Sequence, residues 1–219
     1  MPVRHALPMT AALLLLALLW PGAATQAWDS DRMLTAARRI GPQAVPPTQA
    51  LQAVMAGVQR HDDNAKLDAI NNFYNRQVLF RDDMEVWGQV DYWASPLETL
   101  AQGQGDCEDY AIGKYFSLVA LGMATAKLRL VYVRAQVAGA VQAHMVLAYY
   151  PAPNAEPLIL DNLVGELRPA SQRPDLVPVF SFNSDGLWQG VGAQTAGDPL
   201  ARLSRWREVL AKARAEGFQ

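Results

Sequence analysis

The chain has 219 residues, with 19 lysines and arginines against 21 acidic residues and a formal charge of −2. That balance lacks the basic surface a phosphate backbone demands, which argues against a nucleic-acid partner. One cysteine excludes an internal disulfide, and the length suits one domain with a sizeable core.

In chain order, Arg4, the apolar run from Ala11 to Trp20 and the small residues from Pro21 to Ala27 have the layout of a secretory signal peptide. Residues 1–27 are expected to be removed after Ala27, leaving residues 28–219 as one exported domain. The apolar run is shorter than the about 20 residues of a membrane span, so no direct span is expected after cleavage, an uncleaved anchor being the alternative. An N-terminal helix precedes the turn-rich stretch from Gly41 to Pro47. Helical spacing then runs from Thr48 to Gln59, with Leu51, Val54, Met55 and Val58 on one face. It resumes from Asp63 to Val78, with Leu67, Ile70, Phe73 and Tyr74, capped by Asp62 or Asp63.

Ser95-Pro96-Leu97-Glu98 joins a capping box to proline at the first helical position and predicts a short helix to about Ala101. Gln102 to Gly105 breaks it. A new helix is expected with Asp106 as N-cap and Cys107 as its first residue, buried through Ala111, Ile112, Tyr115, Phe116 and Val119 and ended by Gly122. After it the period becomes strand-like, at Leu128 to Gln136, Ala143 to Tyr150 and Pro157 to Asp161. Val179 to Phe182 and Leu187 to Gln189 read as a hairpin through Asn183-Ser184-Asp185-Gly186. A last helix from Asp198-Pro199 is expected to bury Leu200, Leu203, Trp206 and Leu210. The fold class is α+β, helices first and an antiparallel sheet after them.

A lone thiol opening a helix is a nucleophile candidate, because the helix N-terminus favours the thiolate. Asp106, Glu108 and Asp109 oppose this by surrounding the sulfur with negative charge. Hard oxygens packed so tightly invite a divalent cation, calcium first. A cysteine nucleophile also needs a base and a group to orient that base. His5 leaves with the signal peptide, and His61 beside Asp62 and Asp63 reads as solvated. His144 remains, on a strand followed by the strand that Asp161 ends, where cross-strand neighbours stand about 5 Å apart. Taken alone, His144 also fits a satisfied core residue and Asp161 a strand-ending turn.

The order of cysteine at a helix start, histidine on a strand and aspartate on the following strand resembles the papain and transglutaminase-like fold. Asp91-Tyr92-Trp93-Ala94-Ser95-Pro96-Leu97-Glu98-Thr99-Leu100, Gly103-Gln104-Gly105-Asp106-Cys107-Glu108-Asp109-Tyr110, Ala143-His144-Met145-Val146-Leu147 and Leu160-Asp161-Asn162 resemble the bacterial transglutaminase-like cysteine proteinases of the LapG type. The resemblance implies a calcium-dependent periplasmic protease with Cys107 as nucleophile, His144 as general base and then acid, and Asp161 as its orienting group. It places calcium ligands at Asp106, Glu108 and Asp109. It implies cleavage of the N-terminal region of a large surface adhesin at a paired-alanine site, which promotes biofilm dispersal. Control would come from an inner-membrane cyclic di-GMP receptor acting through its periplasmic domain. The same triad also suits an acyl transferase or deamidase, since water or an amine can resolve a thioester. Trp93 is a candidate wall of the site.

Overall fold

The computed structural model describes residues 28–192 and 194–218; the expected signal peptide lies outside them. Among the described residues, no helix is long and apolar enough to cross a membrane. Helix α1 (Ser30–Ile40) is capped by Asp29, whose carboxylate accepts from the Arg32 N–H at 2.9 Å. Helix α2 (Val45–Val58) starts earlier than its apolar spacing suggests. Pro46 and Pro47 fall in its first turn, where a missing N–H leaves no bond unmade. Asp62 caps α3 (Asp63–Gln77) by accepting from the Ala65 N–H at 2.9 Å.

Strand β1 (Leu79–Phe80) and the short helix α4 (Asp83–Val86) lead to α5 (Pro96–Gln102), which starts with the complete capping box of Ser95 and Glu98. Strand β2 (Gln104–Gly105) lies parallel to β1 and feeds α6 (Cys107–Ala120). Gly122, with φ 82°, ends that helix while the Met123 N–H bonds the Leu118 carbonyl at 3.0 Å.

The second half is an antiparallel sheet of β3 (Leu128–Val137), β4 (Ala140–Tyr149), β5 (Leu158–Leu160), β6 (Arg168–Pro169), β7 (Leu176–Phe182), β8 (Leu187–Gln189) and β9 (Thr195–Gly197). Its order is β6-β5-β4-β3-β7-β8-β9. Ala138 and Gly139, with φ 49° and 86°, close a tight hairpin between β3 and β4. Pairing therefore extends past the expected strand ends, and His144 lies well inside β4. The last helix divides into α7 (Pro199–Arg202) and α8 (Ser204–Ala215), because Leu203 leaves the helical region. Leu200 on the first piece is exposed, whereas Trp206 and Leu210 on the second are buried.

Helix α6 is the centre of the molecule, packed on β3 and β4 on one side and on α3 on another. Trp206 covers it through contacts with Tyr115 and Phe116, ring centroids 5.4 and 5.5 Å apart, and donates its indole N–H to the Asn183 carbonyl at 3.1 Å. A short bridge between Trp28 and Phe218 brings the two ends of the described chain together.

Close approach of α6 to α3 depends on Gly113, where a Cβ would stand 2.3 Å from Tyr74 Cε1. Gly113→Ala is expected to destabilise the protein by about 1–3 kcal/mol through overpacking. Gly57→Ala, where a Cβ meets nothing within 4 Å, should instead stabilise by about 0.5–1 kcal/mol through helix propensity. Denaturant unfolding of the two variants measures both signs.

Candidate active site

The backbone before Cys107 is fixed on both sides. Gly103, left-handed with φ 61°, ends α5, and β2 then holds the chain against β1. Gly105 has no room for a side chain, since a Cβ there would lie 2.6 Å from Asp109 Oδ2. Asp109 is buried, and its Oδ1 accepts from the Ala94 N–H at 2.9 Å, so the first turn of α6 is tied to the segment before α5. Cys107 opens this helix half-buried.

Asp106 stands at the N-cap position, yet its side chain makes no capping bond, contrary to the expectation from sequence. Its Oδ1 is buried with no hydrogen-bond partner among the described residues, and so are Asp109 Oδ2 and Asp83 Oδ1. Carboxylate oxygens of Asp83, Asp106 and Asp109 lie within 4.8 Å of one another, as do those of Asp83, Asp91 and Glu108. The acidic cluster therefore takes in Asp83 and Asp91 besides the three acids read from the sequence. Burial, then the charges of Glu108 and Asp109, raise the Asp106 carboxyl to about 10. Burial raises Asp83 to about 6 and pushes Asp109 well above the usual carboxylate range. Orphaned, crowded carboxylate oxygens of this kind fit a hard divalent cation with oxygen ligands.

The thiol is drawn into the same cluster: Cys107 Sγ donates to Glu108 Oε2 at 3.0 Å. Burial, the Glu108 charge with this hydrogen bond, and the Asp106 charge push the thiol far above its ordinary value, against the opposing Met145 N–H. Without a neutralising charge, the acids outweigh the helix N-terminus.

His144 and Asp161 form a buried pair, with His144 Nε2 and Asp161 Oδ1 2.7 Å apart. They do not face each other directly. Leu147 pairs with Leu160, so Asp161 continues the register opposite Val146, and the contact to His144 is diagonal along one face. Burial alone would raise the Asp161 carboxyl. The hydrogen bond and charge of His144, the Arg173 hydrogen bond and the Leu163 N–H instead hold it at about 2. With Nε2 donating to this carboxylate, Nδ1 is the nitrogen left to accept a proton.

Cys107, His144, Asp106 and Glu108 line one cleft of about 960 Å³, walled by Trp93 and Tyr132. Trp93 is both wall and core, since it stacks on Phe182 with ring centroids 5.7 Å apart. Among the described residues the sulfur proton is directed to Glu108 and not to His144. His61 is exposed, as expected of a solvated side chain.

A family model described as bacterial transglutaminase-like cysteine proteinase matches residues 48–193. The chain belongs to this family. Solved structures of Legionella pneumophila LapG share its fold. The EGTA-treated form is 35% identical with a TM-score of 0.74, covering 84% of this chain and 97% of that one. The calcium-bound form is 35% identical with a TM-score of 0.71, covering 84% and 98%. No curated protein sequence matches the chain. As a bacterial transglutaminase-like cysteine proteinase the chain is a cysteine protease, and the α+β, transglutaminase-like architecture stands as expected.

Sequence reasoning missed Asp83, Asp91 and Arg173. The two acids lie in the irregular stretch around α4, where no periodicity distinguishes them from solvated loop residues. Arg173 follows a turn in the segment after β6 and belongs to no motif, although its guanidinium reaches Asp161 Oδ2 at 2.7 Å.

The acidic cluster sets the pH dependence of the metal-free proteinase. Asp106 binds its proton more tightly folded, at about 10, than at its ordinary 3.8, so the folded state holds the extra proton across that window. Stability of metal-free protein should therefore fall as pH rises through it. Thermal unfolding of chelator-treated protein should give a lower Tm at pH 8 than at pH 5.5, and a divalent cation should raise Tm more at pH 8.

Proposed function

We propose that this proteinase acts in the periplasm as a calcium-dependent endopeptidase with Cys107, His144 and Asp161 as its triad. It cuts the N-terminal region of a large surface adhesin at a paired-alanine site. The buried 2.7 Å His144–Asp161 pair, opening on the cleft that holds the chain's one cysteine, carries the reading. The adhesin, the role in biofilm dispersal and control by an inner-membrane cyclic di-GMP receptor are supported by the LapG-type resemblance.

In the reaction, His144 Nδ1 takes the Cys107 proton, and the sulfur bonds the scissile carbonyl carbon while that carbonyl becomes an oxyanion. As the oxyanion collapses, the C–N bond breaks and the imidazolium passes its proton to the leaving amine. Water, deprotonated by the same imidazole, then hydrolyses the thioester and restores the thiol. Asp161 stays ionised and holds the imidazolium in place. The Cys107 N–H, at the start of α6, is placed to donate to the oxyanion.

Asp106, Glu108 and Asp109, joined by Asp83 and Asp91, would hold calcium, as LapG has a calcium-bound form. The ion supplies positive charge that offsets the carboxylates around the thiol. With Glu108 holding the ion, its carboxylate would no longer accept the thiol hydrogen bond, and His144 would be left to take that proton.

Cys107→Ala and His144→Ala should each abolish cleavage of an adhesin N-terminal segment in folded protein, and Asp161→Asn should keep a trace. Mass spectrometry of the products checks this: a broken Ala-Ala bond supports the protease on this substrate, whereas deamidated glutamine or incorporated amine would redirect it. Appreciable cleavage by Cys107→Ala would rule out covalent catalysis.

Calcium should also accelerate alkylation of Cys107 by iodoacetamide at pH 7.5 by at least about tenfold over chelator-treated protein, because a lower thiol pKa exposes more thiolate. Asp106→Ala and Glu108→Ala should remove that response. Equal alkylation rates with and without calcium in the unsubstituted protein would refute the neutralising role.

A further inference from the structure

Arg173 is a buried cation that the proteolytic reading does not use. Its backbone is pinned by a turn, with the Arg173 N–H on the Ala170 carbonyl at 3.0 Å and the Leu176 N–H on its own carbonyl at 3.1 Å. Its side chain is 2% exposed. Nε and Nη2 grip Asp175 at 3.0 and 2.8 Å, and Nη2 also donates to Asp161 Oδ2 at 2.7 Å.

The two oxygens of Asp161 are divided between different donors. Oδ1 meets His144 Nε2 and accepts from the Leu163 N–H at 3.1 Å. Oδ2 has Arg173 as its one donor among the described residues. Without the guanidinium, Oδ2 would be a buried carboxylate oxygen with no partner, and the carboxyl group could turn about its terminal torsion, which is broad for aspartate. The Asn75 side chain holds only the Asp161 main-chain carbonyl, at 2.8 Å, and does not fix that torsion.

We propose that Arg173 is a positioning residue for the protease: it clamps Oδ2 of Asp161 so that Oδ1 stays on His144 Nε2 and Nδ1 stays available to Cys107. The proposal rests on the triad assigned above. It gives the region after β6 a part in catalysis at one remove, since Arg173 reaches the triad through Asp161. The charged groups that act on Asp161 are His144 from β4, Arg173 and its partner Asp175 from the segment after β6, and Lys114 from α6, a buried lysine lowered to about 7 by burial and raised in part by Asp161.

The test follows the His144 ring by NMR, its resonances identified by their loss in His144→Gln. The hydrogen-bonded Nε2–H proton reports the contact with Asp161 Oδ1. Arg173→Gln leaves Oδ2 without its donor, so the carboxyl turns and the Nε2–H signal should be lost to solvent exchange. The kcat should fall at least about tenfold with KM little changed, as expected for an interaction realised in the transition state. Arg173→Lys keeps a charged donor and should return the signal in part. Asp175→Asn, at a partly exposed site, removes the carboxylate that holds the guanidinium and should weaken the same signal; it gives the readout even if Arg173→Gln fails to fold. An unchanged Nε2–H signal in folded Arg173→Gln overturns the clamp, whether or not activity is lost, as does an unchanged signal in Asp175→Asn. A lost signal together with full cleavage by His144→Ala would leave the clamp standing and sink the triad on which it rests.

Discussion

Like-charge repulsion around a single thiol is the constraint to which the rest of the site answers. Five carboxylates converge at the start of α6, several of them with buried, unpartnered oxygens. Desolvation makes each negative charge costly, and its neighbours make it costlier. A helix N-terminus contributes roughly half a unit of positive charge, too little to balance such a cluster. The fold tolerates the arrangement because Asp109 and Asp83 are also structural. Asp109 holds Ala94 and fits against Gly105, while Asp83 accepts from the Tyr92 N–H. The acids that oppose the thiolate thus build the loop that presents it.

The opposite electrostatic arrangement holds at the other end of the triad. Asp161 is as buried as Asp109, but it has a donor for each oxygen and is kept ionised. Two aspartates of similar burial have opposite protonation tendencies because one is surrounded by donors and the other by acceptors. That contrast gives a chain of nearly neutral overall charge both a cation-seeking pocket and a permanent carboxylate.

Much of this was legible in the amino-acid order. Capping chemistry marked the starts of α3 and α5 because those signals are local, and the cysteine at the start of α6 was readable for the same reason. Strand period located β3, β4 and β5, and the order of Cys107, His144 and Asp161 along the elements was readable; the structure pairs His144 with Asp161 and lines one cleft with His144 and Cys107. What escaped the sequence was whatever depends on tertiary approach. Asp106 looked like a cap, since the residue type and position are right, but the cluster turns its carboxylate elsewhere. The contribution of Asp83 and Asp91 arises only when the α4 segment folds beside α6. Arg173 lies 12 residues from Asp161 in sequence with strand β6 between, and no spacing rule links them. The break at Leu203 was hidden by an apolar period that continues across it.

Trp28 and Phe218 bridge, and the Asp29 N–H bonds the Gly217 carbonyl at 3.1 Å. The first and last described residues are therefore neighbours, held by main-chain bonds beside buried α1 and α8 residues. In topological terms the domain is close to a closed ring. A circular permutant joined across these ends by a short linker and reopened in an exposed turn, such as that at Ala138 and Gly139, would keep every strand pairing and the approach of α6 to the sheet.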